Sequence, residues 1–76
     1  MALYTAKLTQ EKQILQVVEF KAHGLPLDVL IKDVKQRFNI PRKRLNVVVN
    51  EVNRLIIGNS ALNIEITTNL VNTKFN

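Results

Sequence analysis

The chain has no cysteine and no tryptophan, a single histidine, two glycines and two prolines among its 76 residues. Without cysteine there is neither a disulfide nor a thiolate metal site. His23 by itself does not make a zinc or iron centre, which takes several such ligands. The longest apolar runs, Val47–Val49 and Leu55–Ile57, are far too short to cross a membrane as a helix. The first twelve residues, MALYTAKLTQEK, lack the continuous apolar core of a signal peptide. A soluble cytoplasmic domain is the expectation. Catalysis is excluded on inventory: there is no nucleophile–histidine set, no glycine-rich phosphate loop and no acid pair with a reason to meet. Ser60 and His23 have nothing to link them, so no cofactor and no small-molecule substrate is expected. A chain this short makes one domain and buries only about 60% of the surface its unfolded form exposes.

Acids are scarce as well, six against eleven lysines and arginines, for a net charge of +5. The excess is local. Residues 32–54 carry seven cations (Lys32, Lys35, Arg37, Arg42, Lys43, Arg44, Arg54) against Asp33 and Glu51, while the rest of the chain carries four of each sign. A basic segment on an otherwise neutral domain is the electrostatic footprint of a polyanion binder; its plainer explanation is a solvated surface.

Periodicity predicts three helices followed by a hairpin, an α+β order. Residues 1–9 read as an N-terminal arm or short strand. Thr9 is a candidate N-cap for a helix over 10–22, with Ile14, Leu15, Val17, Val18 and Ala22 on its apolar side and His23-Gly24 as terminator. Pro26 suits the start of a second helix, where Leu27, Leu30, Ile31, Val34 and Phe38 share one face and Asp28 lies in the first turn. Asn39 suits a left-handed turn, and Ile40-Pro41 cannot continue that helix. A third helix is predicted over 41–55, from Leu45, Val48, Val49, Val52, Leu55 and Ile56. The β-branched LNVVV also suits a strand, but the interleaved Asn46, Asn50 and Asn53 favour the helix. Gly58-Asn59-Ser60 marks a turn into a strand, with Leu62, Ile64 and Ile66 on one face, and residues 71–75 read as a last strand.

Residues 31–50, IKDVKQRFNIPRKRLNVVVN, resemble the helix-turn-helix motif of DNA-binding regulators. Val34 and Phe38 supply its first apolar pair, Asn39 the turn, Ile40 the residue after it, and Leu45 and Val48 the last pair. Lys35 stands where the family usually has a small residue, and Asn39 where it usually has glycine. With the flanking elements, the resemblance implies a winged helix-turn-helix domain: three helices over 10–56 and a wing over 57–76. It implies a homodimer on double-stranded DNA, acting as a small transcription regulator, and the short length and nine asparagines would fit one of phage, plasmid or archaeal type.

The outward face of a helix over 41–55 would carry Arg42, Lys43, Asn46, Val47 and Asn50 as base readers, in keeping with donors to guanine, amide pairs to adenine and a contact to the thymine methyl. Lys32, Lys35, Arg44 and Arg54 are the expected phosphate contacts. Cations at that helix's N-terminus would oppose its dipole, which favours an anion bound there. The wing holds one cation, Lys74, and one acid, Glu65, so it suits the core or a subunit interface better than DNA, with a strand edge open to pairing with a second copy. The competing expectation is a small interaction module, such as a phage-type inhibitor, whose basic face docks an acidic host protein.

Overall fold

The computed structural model describes residues 2–69. It holds one helix and five strands: β1 (Ala2–Gln10), β2 (Gln13–Ala22), α1 (Leu27–Arg37), β3 (Asn46–Glu51), β4 (Arg54–Gly58) and β5 (Leu62–Thr68). The strands form one antiparallel sheet in the order β2-β1-β5-β4-β3. The expected three-helix, winged helix-turn-helix core is therefore wrong. Of the two readings of residues 1–9, arm or short strand, the strand is present as β1; the helix over 10–22 is the β1–β2 turn and β2, and the helix over 41–55 is a loop followed by β3 and the start of β4. Within the supposed wing, β5 lies between β1 and β4, so its edge is not available to a second copy. The last strand predicted at 71–75 lies outside the described residues.

Two expected elements are present. The helix that Pro26 introduces runs Leu27–Arg37 with Pro26 at its N-cap, and it buries Leu30 and Val34 completely, with Phe38 just beyond its end. Asn39 is left-handed, with φ of 61°. The amide of Asn39 donates to the Gln36 carbonyl and that of Ile40 to the Lys35 carbonyl, each at 2.9 Å, which closes a Schellman motif. Ile40, the residue after the turn, packs on the core as such motifs favour. The predicted strand is β5, with Ile64 and Ile66 fully buried.

The core lies between α1 and one face of the sheet. Ala2, Tyr4, Ala6 and Leu8 of β1, Phe20 of β2, Leu55 and Ile57 of β4 and Ile64 and Ile66 of β5 form one cluster with Leu30, Val34 and Phe38. Strand alternation puts the even residues of β1 on this side, which is why alternating residues are buried. The chain leaves β2 at one edge and re-enters as β3 at the other, so α1 has to cross the sheet. Its eleven residues span roughly 16 Å, against about 19 Å across five strands. Tyr4 and Phe20 stack at 5.4 Å between ring centroids. Because Gly24 is not left-handed, the expected helix terminator at His23-Gly24 has no counterpart; β2 simply ends at Ala22.

Candidate basic interface

The site begins with the side of α1 that faces away from the core. Helical spacing that buries Leu30, Val34 and Phe38 leaves Val29, Lys32 and Gln36 exposed and Lys35 half-buried. Lys32 and Lys35 share a shallow hollow with Asp28, Val29, Ile31 and Pro41. Pro41 also borders a second hollow lined by Asn39, Ile40, Arg42 and Lys43. The helix face and the following loop thus form one continuous surface.

The loop is held at both ends. Ile40 and Leu45 pack against the core, and the Lys43 amide donates to the Ile40 carbonyl at 3.1 Å, making a turn with Pro41 at its favoured second position. The Asn59 side-chain amide donates to the Arg44 carbonyl at 3.3 Å. Asn59 is itself fixed, its Oδ1 accepting from the amides of Ala61 and Leu62 at 2.8 Å each. Between these anchors Arg42, Lys43 and Arg44 are exposed.

Two of the seven cations in the basic segment are engaged elsewhere. Arg37 Nε donates to Asp33 Oδ2 at 2.9 Å while its guanidinium lies 4.1 Å over the Phe20 ring, closing the β2 side of the core. Arg54 bridges Glu65 at 2.8 Å and Glu51 at 2.7 Å on the sheet face opposite α1. Its hydrogen bond to Glu65, and then that to Glu51, hold its pKa above the ordinary arginine value. Among the described residues no ion pair joins Lys32, Lys35, Arg42, Lys43 or Arg44 to an acid.

The residues expected to contact DNA are therefore divided. Lys32, Lys35, Arg42 and Lys43 border the joined hollows, and Arg44 follows directly in the loop. Asn46, Val47 and Asn50 lie on edge strand β3, where register places Val47 and Asn50 opposite the inward Ile57 and Leu55, and Asn46 opposite Gly58. Arg54 is on the far side. No recognition helix exists to present these side chains together, and the dipole argument lapses: Arg42, Lys43 and Arg44 lie in the loop after α1, and the cations in a terminal turn are Lys35 and Arg37, at the C-terminal end where they are favoured. Val29 and Pro41 also line the surface without a signal for it in the sequence: Pro41 suits a helix start, and Val29 is one exposed apolar residue on the outer side of α1. Compared with protein-family models, curated proteins and solved structures, the chain finds no match. Among the described residues, no His, Cys, Asp and Glu side chains gather as a metal site, and no helix is long and apolar enough to cross a membrane.

Proposed function

We propose that the chain binds the phosphate backbone of double-stranded DNA through the outer side of α1 and the loop over 39–45. The observation that carries this reading is the set of four cations, Lys32, Lys35, Arg42 and Lys43, that border the joined hollows beside a single acid, Asp28, with Arg44 exposed next in the loop, none of them ion-paired among the described residues. Charge of that density attracts a polyanion, and a duplex presents phosphates at regular spacing. Single-strand recognition leans on exposed aromatic rings, whereas Tyr4, Phe20 and Phe38 are all buried here. Phosphate contacts position a protein without reading sequence, so specificity falls to Asn46 and Val47, which follow the loop on exposed edge β3.

The test is a titration of a labelled duplex and of its single strand, followed by fluorescence anisotropy. Tighter binding to the duplex, lost in Lys32→Glu/Arg42→Glu, supports the reading. Equal or absent binding ends it. The hollow floor of Val29, Ile31 and Pro41 favours a second reading, in which an acidic amphipathic segment of another protein docks between the lysines. Capture of one protein partner that survives nuclease, together with no duplex binding, selects that reading.

A further inference from the structure

The sheet has two edges, and β2 is the longer: ten residues, paired only to β1. Ile14, Leu15 and Val17 on this strand are 58%, 53% and 50% exposed. The register explains their placement. Leu8 faces Gln16 and Thr9 faces Ile14, which leaves Leu15 as the extra residue of a bulge. Ile14 and Val17, three apart, consequently lie opposite Thr9 and Lys7 and share the face that α1 does not cover. Proteins usually blunt an exposed edge with proline, several lysines, a short strand or a bulge, and of these β2 carries the bulge at Leu15. β2 has no proline and one lysine, Lys21, near its far end.

We propose that β2 is a pairing edge for a second copy of this chain, joined antiparallel about a twofold axis normal to the sheet. Self-complementarity points to this occupant. With Leu15 left out of the count as the bulged residue, pairing about Gln16 sets Val17 of one copy against Ile14 of the other, both on the uncovered face. The same register runs out to Val18 against Gln13 and brings Glu19 beside Lys12 of the partner copy's hairpin turn, and symmetry supplies each contact twice. Lys12, Ile14, Gln16, Val17 and Glu19 are all exposed in the single chain. The edge is also locally neutral, with Glu11 and Lys12 in its turn and Glu19 and Lys21 along it, so two copies of net charge +5 can approach here. An axis normal to the sheet keeps both helices, and both basic surfaces, on the same side. This inference does not depend on what those surfaces bind.

Sedimentation equilibrium without nucleic acid tests it. The expected mass is twice the 8.7 kDa of the chain, reverting to one chain on dilution. Glu19→Lys, which sets like charges across the seam, is expected to weaken the dimer roughly tenfold, and Lys12→Glu/Glu19→Lys to restore it. Val17→Glu, whose new carboxylate sits opposite Lys7 within its own chain, is expected to give a monomer with an unchanged circular dichroism spectrum. Val48→Glu on the β3 edge is expected to leave the dimer intact. The proposal is overturned by a single-chain mass at every concentration, by masses that grow beyond two chains, by dissociation in Val48→Glu, or by failure of the charge swap to restore what Glu19→Lys removes.

Discussion

Replacing Lys32 or Arg54 with alanine separates the helix–loop surface from the rest of the basic segment. Both are cations of the same stretch, and a reading by charge count alone treats them alike. In the structure, five cations without an acidic partner lie along α1 and its loop, while Arg54 is tied to Glu51 and Glu65 on the opposite sheet face. If all five meet phosphates, log Kd changes with log salt by about 0.9 for each, a total slope of roughly 4.5. Raising salt fourfold then weakens binding by roughly 500-fold. Lys32→Ala should remove one contact and lower the slope to about 3.6. Arg54→Ala should leave it unchanged, since a helix layer and a sheet separate that residue from the bound duplex by more than the screening length of about 8–10 Å. Anisotropy titrations of one duplex across a salt series measure all three slopes, with circular dichroism as a check on folding. A wild-type slope near zero, or an equal reduction in Arg54→Ala and Lys32→Ala, would refute the reasoning.

Three further outcomes test the fold that carries the surface. Gly58→Ala should cost about 1–3 kcal/mol by overpacking: a Cβ there falls 2.0 Å from Asn63 Oδ1 and 2.7 Å from the Leu62 carbonyl. Urea unfolding measures this, and adding Asn63→Ala should recover only part, because the carbonyl belongs to the paired strand. Leu30→Ala empties a fully buried site where α1 meets the sheet and should cost about 2–5 kcal/mol in the same assay. Glu11→Asn/Lys12→Gly should instead raise stability by about 1 kcal/mol or more. Both residues have positive φ, 50° and 68°, in a two-residue hairpin turn that asparagine and glycine occupy more readily; an unchanged melting temperature would count against that strain.

How much of this architecture could be read in advance depended on whether local periodicity survived. In Leu27–Phe38 it did: the apolar residues keep one helical face from the proline that starts the helix to the left-handed Asn39 that ends it. In β5 the alternation around Ile64 and Ile66 is likewise unbroken. β2 and β3 each contain a bulge, at Leu15 and between Val47 and Val49. An extra residue turns a spacing of two into one of three, and apolar residues three and four apart imitate a helix. The Glu11-Lys12 turn hid the first hairpin further, since neither residue is a usual turn signal. On the site side, the cation excess over residues 32–54 was legible, whereas the pairing of Arg37 and Arg54 with acids was not, and Asn46, Val47 and Asn50 lie on a strand rather than a helix face.

The sequence alone determined what hydrogen bonds and charges within a short stretch can decide: one helix, its two ends, one alternating strand and a basic excess confined to residues 32–54. The tertiary structure decided the remainder. A strand acquires its partners from residues far along the chain, so only the assembled sheet shows that β1 lies beside β5 and that β2 and β3 form the edges. The same packing sorts the cations, because an ion pair such as Arg54–Glu65 exists only once β4 and β5 are side by side. It leaves Lys32, Lys35, Arg42 and Lys43 along one helix and the loop that follows it, rather than at the start of a helix.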